Sequence, residues 1–233
     1  MRRQATPLFT LAILSSIVGV GWAQSRHIER RHDRPEPKYS VRLEPSVLVP
    51  MRDGVKLSTD LYFPEGLSGK LPVILARTPY NKNAARADNS WARMFAAQGY
   101  IVAVQDTRGK FESEGEYTVS AADTNDGYDA IDWMASQPWS TGKVGTYGCS
   151  YLGENQVETA KLRHPNHAAM IPQASGGARR YFGAITGGAV ELAAGADWFR
   201  SSGAKIRPTL GPTREPAGFS QAARYFNLAP QLP

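Results

Sequence analysis

Ser150 stands in the stretch GTYGCSYLG, residues 145–153, directly after Cys149, the chain's single cysteine. A serine at a sharp turn from strand to helix can present its hydroxyl at the end of a sheet as an acyl-accepting nucleophile. Such a turn needs small residues where strand and helix pack closely. Gly148 fills the small position two before Ser150, whereas Leu152 holds the position two after it and Gly153 comes one residue late for a G-x-S-x-G spacing. A helix N-cap is the other use of a serine at this place. Cys149 is the weaker nucleophile, because with Cys149 at the centre Tyr147 would occupy the close-packed position. It reads instead as a buried, inert thiol beneath the turn.

Acyl transfer also needs donors aimed at the negative charge that develops on the carbonyl oxygen. The segment RTPYNK, Arg77 to Lys82, follows a short apolar run, the place from which hydrolases of strand–turn–helix architecture supply one such donor. Tyr80 offers a phenolic hydroxyl there, or else packs as a loop aromatic. The backbone N–H of Tyr151, next after the serine, is the second donor.

Four segments, RTPYNK, VQDTRGKFESEGEY, DGYDAIDWMASQPWSTGKVGTYGCSYLG and GGAVEL, occur in that order. Together they resemble the CocE/NonD-type hydrolases, which include cocaine-esterase-like enzymes, α-amino-acid ester hydrolases, glutaryl acylases and Xaa-Pro dipeptidyl-peptidases. The resemblance runs from roughly Val41 to Gly203. In that family the nucleophile turn is G-x-S-Y-x-G, which accounts for Tyr151 and the late Gly153. The resemblance implies that Ser150 accepts the acyl group and that the Tyr80 hydroxyl and the Tyr151 N–H form the oxyanion hole. Asp106, Arg108 and Gly109 also match, and are read as structural, fixing a loop near the site. Leu152 places no acidic residue beside the turn to hold a substrate ammonium, which speaks against the amino-acid ester hydrolase branch. The Pro-specific peptidase branch stays open.

A serine hydroxyl is a poor nucleophile until a base takes its proton. The chain has four histidines. His27 and His32 precede the expected fold. His164 and His167 follow the helix that Ser150 opens; at ~1.5 Å per residue His164 lies roughly 20 Å along it, whereas a base needs ~3 Å. None of the four is expected to be the base, and His164 and His167 read as helix-end or surface residues. The resemblance places the family's acid and base beyond a helical cap, after the last residue of this sequence. The sequence therefore reads as the N-terminal part of a hydrolase and is expected to show little or no turnover alone.

The elements that must hold these residues follow from apolar spacing. SVLVPMRDGVKLSTDLYFP reads as two strands joined at Arg52-Asp53-Gly54. LPVILAR (71–77) and YIVAVQD (100–106) are nearly continuous apolar runs, as in strands buried on both faces. Residues 84–98 and 126–136 read as helices, KVGTYG as a strand, 151–162 as a helix and AAMIPQAS as a further strand. This alternation predicts an α/β fold: a mostly parallel sheet of α/β-hydrolase type, incomplete, followed by the start of a helical cap.

Residues 1–23 read as a secretory leader: Arg2 and Arg3, an apolar run from Leu8 to Val20, then Gly21-Trp22-Ala23 with small residues for a cut after Ala23. The run is shorter than the ~20 residues that span a bilayer. Residues 24–40 read as a flexible lead-in, 41–178 as the N-terminal part of the hydrolase domain and 179–233 as the truncated start of the cap. The net charge of +6 is mostly local: six arginines against Glu29 and Asp33 in the first 34 residues leave only about two positive charges for the rest. That gives no nucleic-acid surface. A lone cysteine excludes an intrachain disulfide. The expectation is a secreted or periplasmic serine hydrolase of small ester, amide or peptide substrates. It needs no metal or organic cofactor, and no membrane span remains once the leader is cut. The alternative is a non-catalytic secreted remnant of the fold that acts as a binding protein.

Overall fold

Successive side chains leave a strand on opposite faces, so a strand covered on both sides is apolar wherever it has no polar partner. In β4 (Ile101–Asp106) all six residues are buried, Ile101 to Val104 apolar and Gln105 and Asp106 polar. Ile101 and Ala103 join one apolar cluster, Val102 and Val104 the other. The structure is a computed structural model that describes residues 34–118 and 123–175, with the backbone of two short strands at 185–186 and 189–190.

β1 (Val41–Pro50) and β2 (Lys56–Pro64) form an antiparallel hairpin across a turn in which Gly54 takes φ 86°. β3 (Leu71–Thr78), β5 (Ser140–Cys149) and β6 (His167–Gln173) complete the sheet, in the order β1-β2-β4-β3-β5-β6. β2 and β4 run antiparallel, while the β3–β4, β3–β5 and β5–β6 pairs are parallel. β7 (Ile185–Thr186) and β8 (Ala189–Val190) pair antiparallel with each other.

α1 (Trp91–Ala96) lays Ala92 and Ala96 on one face of this sheet, against Tyr62, Val102 and Val104. On the other face α2 (Asp123–Ser136) packs Ala130, Ile131 and Met134 against Val73, Leu75, Ile101 and Val144. The buried positions of α2, 123, 126, 127, 130, 131 and 134, follow the i, i+3, i+4 spacing of an amphipathic helix. α3 (Tyr151–Ala160) lies beside α2, and the two helices cross so closely at Gly127 that a Cβ there would stand 1.9 Å from Thr159 Oγ1.

The helix expected over 84–98 divides. A 3-10 turn spans Lys82–Arg86, and α1 begins only after Ser90, whose Oγ accepts the Arg93 N–H. α2 already includes Asp123, three residues ahead of the expected start, and Asp123 and Asp126 turn inward to Arg77. The last residues of the lead-in are tied to the end of α1: the N–H groups of Lys38 and Tyr39 donate to the Ala97 carbonyl. On the outer strand β6, Met170 and Ile171 remain about half exposed, at 44% and 52%. No helix among the described residues is long and apolar enough to cross a membrane. The expected leader (1–23) lies outside the described residues, as does the expected cap (179–233) apart from the backbone of β7 and β8.

Candidate active site

Ser150 sits between the end of β5 and the start of α3, with φ 60° and ψ −124°. A non-glycine residue there is strained and must be held by its surroundings. Its own N–H donates to the Gln173 carbonyl at the end of β6 (3.0 Å), and its carbonyl accepts the N–H groups of Gly153 and Glu154. The side chain makes no capping bond to α3, so the N-cap use of this serine is not realised through its hydroxyl. The glycines explain the tightness of the turn. A Cβ on Gly148 would stand 2.3 Å from Leu152 Cβ, and one on Gly153 would stand 2.6 Å from the Gln173 carbonyl oxygen. Gly153 is thus a close-packed position despite its late spacing.

Cys149 is exposed, not buried beneath the turn. Tyr147, two residues earlier on the same face of β5, packs on Trp91 (5.0 Å between ring centroids) and Phe95 (5.1 Å) of α1. α1 is only six residues long, and its cover gives out before position 149.

Tyr80 lies two residues past the end of β3, with its N–H donating to Thr78 Oγ1 at 3.0 Å. Its ring meets that of Tyr151 edge-on at 6.5 Å and is 41% exposed. The two sequence segments that carry the candidate donors therefore converge at one end of the sheet. As the first residue of α3, Tyr151 has its N–H at the helix's positive end, the pole that favours a developing anion. Its side chain turns the other way: the ring is buried, and the hydroxyl donates to Asp123 Oδ2 at 2.5 Å.

The RTPYNK loop is pinned by its lysine. Lys82 is fully buried, with Nζ 2.6 Å from Glu112, 3.5 Å from Asp60 and 3.8 Å from Asp106. Its backbone N–H donates to Asp106 Oδ1 at 2.8 Å. Burial lifts the Asp106 carboxyl to about 6, while Glu112, hydrogen-bonded by Lys82, is held down at about 2. Arg108 bridges Asp126 (2.6 Å) and Asp53 (2.8 Å), tying the loop after β4 to α2 and to the β1–β2 turn. Asp106 and Arg108 are therefore the loop fasteners that the sequence suggested.

The two described histidines are far from the serine. His167 opens β6 opposite Val144, at the end of the parallel strands away from Ser150, and six strand residues at ~3.3 Å amount to roughly 20 Å. His164, just past the end of α3, is not a surface residue: it is 4% exposed, with its ring 4.2 Å from that of Tyr128, whereas His167 is partly buried. The His167 ring lies 2.9 Å from Thr146 Oγ1, and its burial lowers the imidazole's pKa. The sequence reading missed the buried partners behind the turn, Arg77, Asp123 and Asn155. Nothing in their spacing distinguishes them from surface polar residues.

Residues 53–230 match the family described as X-Pro dipeptidyl-peptidase (S15 family). Over 119 residues the chain is 44% identical to the cocaine esterase of Rhodococcus sp. (strain MB1 Bresler), covering 49% of this chain and 20% of that protein. Among solved structures, an α-amino acid ester hydrolase superposes with a TM-score of 0.52 at 32% identity, covering 58% of this chain and 25% of the other. A CocE/NonD family hydrolase from Staphylococcus aureus superposes with a TM-score of 0.51 at 27% identity, covering 58% and 30%. The chain thus spans between a fifth and a third of the length of these three relatives. The mixed, mostly parallel sheet and these neighbours agree with the α/β-hydrolase fold expected from the sequence.

Proposed function

Because this chain belongs to the X-Pro dipeptidyl-peptidase (S15) family, we propose that it supplies the nucleophile and oxyanion donors of a serine hydrolase acting on small ester, amide or peptide substrates. The observation that carries this reading is Ser150 at φ 60°, ψ −124°, held between two glycines that tolerate no side chain.

In this reading Ser150 Oγ attacks the substrate carbonyl carbon and its proton passes to a base. The carbonyl oxygen, now an anion, is met by the Tyr151 N–H at the positive end of α3 and by the Tyr80 hydroxyl. The tetrahedral adduct collapses, the alcohol or amine leaves with a proton, and water repeats the sequence on the acyl-enzyme. His164 and His167 lie at the wrong end of the sheet, and this reading takes the base and its orienting acid from outside the described residues. The reading carries no metal or organic cofactor.

Leu152 leaves no carboxylate beside the turn to hold a substrate ammonium, which speaks against the amino-acid ester hydrolase branch. The substrate class stays at small carboxylic esters, amides and peptides. Export, with removal of residues 1–23, belongs to the same proposal.

The test is labelling and turnover in the full-length gene product. A fluorophosphonate probe should attach at Ser150, and an aryl acetate should be hydrolysed. Ser150→Ala should remove both. Turnover that survives this substitution would assign the chemistry elsewhere. The 233 residues alone should turn over little or nothing. Full turnover by them, lost in Ser150→Ala, would reveal a base among them.

A further inference from the structure

Behind the serine turn lies a buried polar truss that no catalytic step uses. Arg77 near the end of β3 is 3% exposed. Its Nε donates to Gln105 Oε1 (3.0 Å), Nη1 donates to the Asp123 carbonyl (2.9 Å), and Nη2 stands 3.2 Å from Asp123 Oδ1. The other carboxylate oxygen of Asp123 accepts the Tyr151 hydroxyl at 2.5 Å. The backbone oxygen of Arg77 accepts Asn155 Nδ2 from α3 at 2.7 Å. Tyr80 follows three residues after Arg77 on the same segment.

Both candidate oxyanion donors thus hang from one buried pair. The Tyr80 loop leaves the strand that carries Arg77. The Tyr151 N–H belongs to the residue whose hydroxyl ends on Asp123. Burying a carboxylate and a guanidinium is costly unless geometry compensates, and burial alone pushes the Asp123 carboxyl up. A well-packed apolar pair could join β3 to α2 and α3 as firmly, but it could not fix the distance between two donors through directional bonds.

We propose that Asp123, anchored by Arg77, is a positioning residue for the oxyanion hole: through the Tyr151 hydroxyl it holds the first peptide of α3 in register with Tyr80. This rests on the reading of Ser150 as the nucleophile. The link needs the phenol oxygen and not merely the ring, since the ring already packs against Tyr80 (6.5 Å) and Tyr117 (6.4 Å).

Tyr151→Phe and Asp123→Asn in the full-length gene product test the proposal, beside Ser150→Ala. Tyr151→Phe keeps the ring and the peptide N–H and removes the hydroxyl that bonds Asp123. Complete loss of an oxyanion donor costs about 10²–10³ in kcat, so displacing one should cost about 10- to 100-fold. The fall should appear in kcat with KM changed less than about twofold, and the inhibition constant of an aryl trifluoromethyl ketone should rise by the same factor. Asp123→Asn should act in the same sense. Should it unfold because Arg77 loses its partner, Tyr151→Phe decides alone.

If Ser150→Ala abolishes turnover while Tyr151→Phe keeps the wild-type kcat, the positioning role is overturned and the nucleophile stands. A Tyr151→Phe variant with a lower melting temperature but unchanged kcat and ketone affinity overturns it equally, leaving the truss a structural brace. Turnover that survives Ser150→Ala removes the nucleophile assignment and the positioning role with it.

Discussion

A Cβ added to Gly148 would lie 2.3 Å from Leu152 Cβ, the residue that replaces glycine two positions after the serine. Leu152 is the departure from a G-x-S-x-G spacing, and it is also what makes Gly148 indispensable. Overpacking typically costs about 1–3 kcal/mol, occasionally more. Gly148→Ala should therefore destabilise by at least the upper part of that range and slow labelling of Ser150. Adding Leu152→Gly removes that Cβ and should recover part of the loss, less the side-chain packing it removes and the backbone strain that remains at φ 151°. Urea unfolding of wild type and the two variants measures this. A Gly148→Ala protein of wild-type stability would mean that the turn yields.

The two neighbouring nucleophile candidates separate by reagent. Cys149 is exposed, so a maleimide should modify it in the native protein, and Cys149→Ser should turn over an aryl acetate within about twofold of wild type. Ser150→Ala should fall by at least ~10⁴, the scale of loss when a triad member is removed. The reverse pattern would make the thiol the nucleophile.

Asp106 gives a pH signature. Its carboxyl, lifted by burial to about 6, keeps its proton in the native state over a range where the unfolded chain has released it. Its contribution to stability therefore falls as pH rises from about 4 through 6. Asp106→Asn lacks this slope and can still accept the Lys82 N–H. Relative to wild type, the variant should improve between pH 4 and pH 7 by up to about 3 kcal/mol, since each pH unit separating the native and unfolded pKa values is worth about 1.36 kcal/mol. Glu112, held at about 2, runs the other way: it stabilises above the ordinary carboxylate range and loses that contribution as pH falls through about 2. Unfolding curves from pH 4 to 7 for both proteins decide it, and a constant difference would show that Asp106 titrates normally.

Export predicts a mature protein that begins at Gln24, after the Gly21-Trp22-Ala23 site. Mass spectrometry of the extracytoplasmic fraction should find that terminus. An intact Met1 on a cytosolic product would overturn the reading of residues 1–23.

The strands themselves and the serine's turn were legible because each rests on local rules. Ile101 to Val104 had to be apolar on both faces, the Arg52-Asp53-Gly54 turn had to close a hairpin, and Gly148 had to be small. Burial of charge was not legible. Asp123 and Asp126 look like an acidic helix start facing water, and Lys82 looks like a loop lysine. All three are buried because partners distant in the chain, Arg77, Asp60 and Asp106, converge on them in the fold. The split of residues 84–98 has a similar cause: Ser90 caps a short helix inside a stretch whose alanines alone favour one long one. Cys149 escaped because its exposure depends on where α1 begins, a boundary that composition does not fix.

The contact between Gly127 and Thr159 constrains the order in which this sequence can change. Alanine at 127 collides with Thr159 Oγ1 at 1.9 Å and with its Cβ at 2.9 Å. Neither serine nor alanine at 159 removes the second clash, and only glycine does, at the cost of about 0.3 kcal/mol of helix propensity relative to threonine. A scan of single substitutions would score position 127 as intolerant of every side chain. A pairwise library would find that this intolerance is conditional, a fitness valley whose only low crossing passes first through Thr159→Gly.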